Sequence, residues 1–309
     1  MRTLAFLGPE GTFAHAALRE LPVARGATLV PTANVTLAID AVRAGAADGA
    51  LVPLENSVEG AVPATLDELA NGAPLIIAEE TYLHVSFELM ARPGTAAADI
   101  RTVATHPHAE AQVRRWLLGN VPGARVALVA STAGAAQAVA SGDYDAAVGA
   151  AVAAELYGLA VIAHDIADTA GAVTRFVLLS RPAAPGPATG NDRTTLVAYL
   201  HEGGHHAGAL LEILTEFASR GINLTRIESR PTKGGMGQYC FSIDCEGHIA
   251  DERVGDAVAA LHRVCGAVRY LGSYPRRDGV QGVAATGRAD ADFVEARDWL
   301  RRVRGTGQS

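Results

Sequence analysis

The feature that most constrains the fold is an alternation that runs twice through residues 1–180. Short apolar stretches give way, across small-residue turns, to stretches with helical spacing. "TLAFLG" leads through "GPEG" into "TFAHAALREL", with Thr12 placed to cap the helix. "ATLVP" leads to Asn34 and "VTLAIDAVRAG". "DGALVPL" leads to "ENSVEGAVPATLDELAN", whose helix is expected to begin near Pro63. After the strand-rich "PLIIAEETYLHVSFELMAR" the alternation restarts. "IRTVATH" precedes "PHAEAQVRRWLLGN", "ARVALVA" precedes "TAGAAQAVASG", and "DAAVGA" precedes "AVAAELYG". "LAVIAHDIAD" and "AVTRFVLLS" close the region. Two βα halves around a strand-rich crossover specify a two-lobed α/β domain with a cleft between the lobes.

The pattern then changes. "RPAAPGPATGND" (181–192) is rich in Pro, Gly and Ala and reads as a linker. Residues 193–275 follow the order β-α-β-β-α-β, the split βαβ of ferredoxin-like α+β domains. Residues 276–309 form a polar, Gly-rich tail. It ends in "ADFVEARDWLRRVR", which sets Phe293, Ala296, Leu300 and Val303 on one helical face. The expected division is therefore 1–180, with a second lobe at roughly 82–160, then the linker, 193–275 and the tail.

Composition narrows the chemistry. The only lysine is Lys233, in "TKGGMG", which disfavours Schiff-base and P-loop enzymes. Cys240, Cys245 and Cys265 form no CxxC pair and read as small buried apolar residues. A formal net charge of -7, without a basic stripe, argues against nucleic acid as a partner. Apolar runs are too short to span a bilayer, and "MRTLAFLGPEGTF" has no signal-peptide pattern, so a cytoplasmic protein without membrane partners is expected.

Candidate site residues fall where strands end and helices begin. "GPEGTF", with Thr12, offers backbone N–H groups to a carboxylate or phosphate. Glu55, Asn56 and Ser57 end another strand, and Ser131 and Thr132 a third. Open α/β sheets place ligands at such ends. Without a GxGxxG motif, the arrangement suits a small anion better than a dinucleotide. Glu55 would repel an anion and is read as orienting Asn56 or a nearby cation. His106 and His108 stand two apart at a helix start, a poor metal pair, so no metal is expected. His106 is read either as a hydrogen-bonding group across the cleft or as a helix cap. His205 and His206 read as solvated loop residues. In "AVTRFVLLS", Thr174 and Arg175 stand at the mouth of a buried run begun by Phe176. An arginine there must be paired, reach water or hold a ligand. Adjacent strand residues face opposite ways, so Thr174 and Arg175 share the cleft only if the strand begins irregularly.

Taken in order, "GPEGTF", "ENS", "HP" (106–107), "TRF" (174–176), "GAL" (208–210) and "ESRP" (228–231) resemble the bacterial monofunctional prephenate dehydratases, over roughly residues 1–275. The resemblance implies a periplasmic-binding-protein-like catalytic domain followed by an ACT regulatory domain. It implies a cofactor-free reaction in which prephenate loses water and carbon dioxide to give phenylpyruvate, in phenylalanine biosynthesis. Thr174 would donate to the leaving hydroxyl. Arg175 would fix a carboxylate or the turn around it. Glu55, Asn56, Ser57 and His106 would complete the catalytic set, and Thr12, Phe176, Ser131 and Thr132 would bind substrate. Phenylalanine would bind at Gly208, Ala209 and Leu210, with Glu228, Ser229 and Arg230 holding the loop, in a homotetramer built as a dimer of dimers. Action on arogenate and a non-catalytic two-lobed amino-acid sensor stay open as alternatives.

Overall fold

The N-terminal apolar run forms β1 (Thr3–Leu7), whose central residues are buried. It begins a computed structural model that describes residues 1–201, 207–232, 238–281 and 287–305. Lys233, His205 and His206 lie outside the described residues. After β1 the chain runs α1 (Phe13–Glu20), β2 (Thr28–Thr32), α2 (Val35–Arg43), β3 (Gly49–Asn56), β4 (Gly60–Ala61), α3 (Pro63–Asn71) and β5 (Ile76–His84). There follow β6 (Glu88–Ala91), β7 (Thr102–Thr105), α4 (Pro107–Asn120), β8 (Arg125–Leu128), α5 (Thr132–Ser141), β9 (Ala146–Gly149), α6 (Ala151–Tyr157), β10 (Ala160–Ala163) and β11 (Val173–Ser180). The last part holds β12 (Asp192–Tyr199), α7 (Ala209–Ala218), β13 (Leu224–Pro231), β14 (Tyr239–Glu246), α8 (Glu252–Val264), β15 (Ala267–Pro275) and α9 (Asp290–Gly305). The chain groups into two units, Met1–Thr65 with Thr81–Leu178, and Leu66–Glu80 with Leu179–Ser309.

The first unit contains two lobes. One is built on a sheet of order β2-β1-β3-β11-β5, in which β1 runs parallel to β2 and β3, and β4 pairs with β3. Leu4, Phe6, Leu18, Leu51, Phe176 and Leu178 pack one face of it. The other sheet has the order β10-β6-β9-β7-β8, with parallel β7, β8 and β9 and an antiparallel β6. Its faces bury Leu89, Val103 and Val148 on one side and Met90, Ala104 and Ala147 on the other. This alternation explains why the short "ELMA" and "AAVG" strands are buried throughout. The second lobe thus spans β6 to β10.

The turn after β1 admits little but glycine. A Cβ on Gly8 would lie 2.6 Å from Pro31 Cβ. Gly11, at φ +88°, brings the chain against Ala153 and Ala133. Thr12 caps α1 as expected, accepting from His15 N at 3.3 Å and donating to Leu7 O at 2.8 Å. Asn34 caps α2 through Leu37 N at 2.8 Å, and α3 begins at Pro63.

The second unit carries an antiparallel sheet of order β13-β14-β12-β15. Leu196 and Ile243 from the sheet meet Ile213 and Phe217 of α7 and Leu261 of α8. This is the split βαβ read from the sequence. All three cysteines are buried free thiols, and burial pushes the Cys245 thiol up to about 12. Helix α9 forms, with Arg297 paired to Glu252 of α8 and no residue of its own buried.

Residues 66–80 group with this unit, a pairing that reading the chain as consecutive domains does not reach. The cause is polar. Arg269 Nη1 donates to Leu69 O at 2.9 Å and Gly72 O at 2.7 Å, closing the C-terminal end of α3. The Tyr199 hydroxyl donates to Ala70 O. Arg193, 4% exposed, pairs with the fully buried Glu80 and with Asp278, which Arg276 also holds. Removing one partner of a buried pair strands the other charge. Arg193→Ala is therefore expected to cost about 3–5 kcal/mol in urea unfolding, against a fraction of that for the exposed Arg19→Ala.

Candidate active site

The site is organised by the end of β3 and the start of β11. Asn56 Oδ1 accepts from Val58 N at 2.8 Å and Glu59 N at 3.0 Å. Those two donors fix which end of the amide is oxygen. Asn56 Nδ2 then donates to Thr174 Oγ1 at 2.9 Å. A hydroxyl that accepts on one lone pair keeps its own proton for another partner. Ser57 fastens the same corner: Ser57 N donates to Val173 O, and Ser57 Oγ accepts from Val173 N, each at 2.9 Å.

Asn56 and Thr174 open into a cavity of about 390 Å³ between the lobes. Its lining includes the N-terminal ends of α1, α4 and α5, capped by Thr12, His106 and Ser131. Ser131 Oγ accepts from Gly134 N at 2.9 Å, and His106 Nδ1 accepts from His108 N at 3.2 Å. The His106 proton therefore sits on Nε2, a donor. Among the described residues no lysine or arginine side chain lines the cavity. What it offers an anion are helix N–H groups and neutral donors. Phe13 and Phe87, edge to face at 5.3 Å, and Phe176 supply apolar wall for a ring. Behind the cap, His15 stacks on Phe6 and accepts from Gly11 N, and burial holds its imidazole below the usual value.

Of the residues picked out by sequence, Thr12, Asn56, His106, Ser131, Thr132, Thr174 and Phe176 line this cavity. Glu55, Ser57 and Arg175 do not. Arg175 is the main correction. β11 is regular from Val173 onward, so Thr174 and Phe176 face the cavity while Arg175, 4% exposed, is buried on the other side. The expected place of Arg175 beside Thr174 in the cleft is therefore not what the strand gives it. Glu55 alternates away from Asn56 in the same manner and pairs with Ala61 of β4. Sequence reading passed over Glu59 and Gln112, both in the lining. Gln112 lies one helical turn beyond His108 on α4, a spacing that places both on one face. His106 and His108 rings stand 5.1 Å apart. Among the described residues no cluster of three histidine, cysteine or acidic side chains suits a metal.

The second unit has an open cavity of about 480 Å³ at the start of α7. Gly208 (φ +100°) leads into the helix, and among the described residues no side chain caps the first N–H groups of α7. Gly208, Ala209, Leu210 and Ser229 line it; Glu228 and Arg230 do not. Arg230 follows Ser229 on β13 and so points the other way, where its Nε and Nη2 bind Asp67 Oδ1 at 2.9 and 2.7 Å. It was expected to hold the loop, and the partner the structure gives it is Asp67 of α3. Pro231 is tolerated because β13 is an edge strand.

A two-lobed α/β cleft lined by helix N-termini, in a chain that also carries a split βαβ unit with a ligand-sized hollow, marks the class of protein that binds small ligands in two separate places. Comparison with known proteins is specific. The prephenate dehydratase profile matches residues 4–184, and the ACT domain profile matches residues 205–263. A prephenate dehydratase of Amycolatopsis methanolica is 51% identical, with 98% of each chain covered. The crystal structure of a prephenate dehydratase from Arthrobacter aurescens, solved with L-Phe, superposes with a TM-score of 0.91 at 49% identity, covering 98% of this chain and 99% of that one. A quorum quenching acylase, GqqA, superposes at 0.80 with 34% identity, covering 90% of this chain and 99% of that one. The chain belongs to the prephenate dehydratase family and carries that family's activity together with an ACT domain.

Burial, reinforced by the neighbouring His108 ring and opposed by Glu59, holds the His106 imidazole below its usual value. The neutral form is thus the one the fold favours. Its stabilisation is complete above the unfolded value of about 6.5 and is lost as pH falls from there through the lower folded value. An asparagine in place of His106 would keep the cap without titrating. His106→Asn is therefore expected to show a smaller drop in Tm than the unaltered protein between pH 7 and pH 5.

Proposed function

We propose that the cleft of the first unit expels water and carbon dioxide from prephenate through Thr174, acting as a carbon–oxygen lyase. The observation that carries this is the Asn56 Nδ2–Thr174 Oγ1 hydrogen bond, which leaves the Thr174 proton for the leaving group. The substrate's carboxylates are met by the N-terminal ends of α1, α4 and α5, with Ser131, Thr132 and His106 as neutral donors. As the ring carboxylate leaves as carbon dioxide, its bonding electrons pass into the ring and the C–O bond breaks. Negative charge grows on the departing oxygen, where the Thr174 hydroxyl stabilises it and passes a proton that solvent replaces. Phe176 and the Phe13–Phe87 pair hold the ring and keep water off it. Arg175 supports β11 from behind, and Ser57 and Glu55 support the Asn56 corner.

The choice of a keto acid over its aminated relative rests on charge. Among the described residues Glu59 is the one carboxylate of the lining, and His108 and Gln112 engage it, so it is not left over for an ammonium group. Kinship with the acylase raises acyl transfer as a second reaction. A threonine nucleophile needs a base within reach, whereas Thr174 Oγ1 is met by an amide donor, which disfavours that reading.

In the second unit, L-phenylalanine fits the hollow at the start of α7. Its carboxylate would take the N–H groups after Gly208, and Leu210 would line the side-chain pocket. The phenylalanine found with the Arthrobacter relative supports this reading. Leu210, Leu211 and Tyr239 are left exposed around the hollow, as a surface that pairs with a second ACT module would be, and two such pairs would make up the homotetramer. Among the described residues no helix is long and apolar enough to cross a membrane, and a cytoplasmic site of action suits a soluble biosynthetic substrate.

Thr174→Ala is expected to fold normally and lose ~10²–10⁴-fold in kcat on prephenate, with KM little changed and Thr174→Ser intermediate. Near-normal turnover in Thr174→Ala would remove the donor role. Arg175→Ala is expected to lower Tm more than it raises KM. Ser229→Ala and Gly208→Val are expected to weaken phenylalanine inhibition while uninhibited turnover stays the same. A coupling of ~1–3 kcal/mol between sites sets the scale of the lost inhibition at roughly 5–150-fold.

A further inference from the structure

Glu59 stands in the short connection between β3 and β4, in the first lobe. Its carboxylate reaches across the cavity mouth to α4 in the second lobe. Oε2 meets His108 Nδ1 at 3.0 Å, and Oε1 accepts from Gln112 Nε2 at 2.9 Å. A carboxylate only accepts, so His108 carries its proton on Nδ1 at this contact. The same residue's backbone N–H donates to Asn56 Oδ1 at 3.0 Å. The Asn56 amide in turn donates to Thr174 Oγ1 at 2.9 Å.

These contacts form one unbroken chain. It runs from α4 through the Glu59 carboxylate and backbone to the Asn56 amide, and from there to the Thr174 hydroxyl. We infer that Glu59 is a positioning residue that couples closure of the two lobes to the alignment of Thr174. With Glu59 docked on His108 and Gln112, the 57–59 turn is held so that both N–H groups grip Asn56 Oδ1, and the amide presents Nδ2 to Thr174. With Glu59 undocked, the turn is released and the hydroxyl loses its fixed direction. Glu59 itself touches no reacting atom. Its side chain is 43% exposed and that of His108 is 70% exposed, so the contact can open and close without unpacking a core. The energetic gain of such exposed bonds is small, and their worth here is geometric.

The inference rests on the donor role proposed for Thr174, and a double-mutant cycle separates the two. Glu59→Ala alone is expected to lower kcat about tenfold, with KM changed less than about threefold and Tm unaltered. Glu59→Gln, which still bridges to Gln112, is expected to recover most of that loss. In a Thr174→Ala background, Glu59→Ala is expected to have no further effect on the residual rate, because its only route to the chemistry is gone. Equal and additive losses in the two backgrounds would overturn the coupling while leaving Thr174 as donor. A change in KM alone, or a fall in Tm that accounts for the lost activity, would likewise overturn it. If Thr174→Ala itself kept its turnover, the donor reading would fail first.

Discussion

The hydrogen bond from the Asn56 amide to the Thr174 hydroxyl joins residues 118 apart in sequence, and the first unit is arranged so that it can form. Two strands must lie side by side in one sheet with their ends level. Ser57 enforces that by exchanging two backbone-level bonds with Val173. The amide must be turned one way, and two backbone N–H groups from the following turn do this. Only then does a threonine, a poor acid near neutral pH, become a donor with a fixed direction. In the donor role proposed for Thr174, catalytic power comes from placement rather than from a shifted acidity.

A second constraint is the handling of negative charge. A dianion in a half-enclosed cavity would usually be met by arginine or lysine. Among the described residues the lining has neither, and the buried arginine nearest in sequence to Thr174 faces the other way. What the cavity offers in their place are the partial charges at the ends of α1, α4 and α5. They are fixed by the backbone, need no side-chain ordering, and are spread over separate elements, which suits a ligand with carboxylates at both ends. The arrangement also explains the glycines and small residues at the turn after β1, where the chain must pass close to Pro31 and Ala153.

Much of this was legible in the sequence. The βα alternation, the split βαβ order, the caps at Thr12 and Asn34 and the helix start at Pro63 all follow from local rules, and the structure has each of them. Asn56, His106, Ser131, Thr132 and Thr174 were picked out because they stand at strand ends or helix starts, and the structure gathers them around one cavity. What was missed depends on direction or distance. Arg175 and Arg230 each neighbour a residue that lines a cavity, and each points away from it, because strands alternate. Glu59 sits in a turn that carries no periodic signal. Its partners on α4 lie some fifty residues on, as the separations of 49 and 53 show. The grouping of residues 66–80 with the ACT unit could not be read from segment order, since it is made by side-chain and carbonyl contacts that leave no local pattern.

That last grouping bears on how the molecule is made. Glu80 and Arg193 are 113 residues apart, and Arg269 reaches a carbonyl 200 residues earlier. During synthesis, at ~5–20 residues per second, the α3 carboxyl end and Glu80 leave the ribosome well before the strands that pair with them. A growing chain therefore carries Glu80 and the α3 carboxyl end for 113 and 200 residues before the side chains that meet them are made. The native burial of that carboxylate needs both the Arg193 side chain and the Arg277 backbone N–H, so it waits on the first strand of the second unit's sheet and on the residues that follow its last.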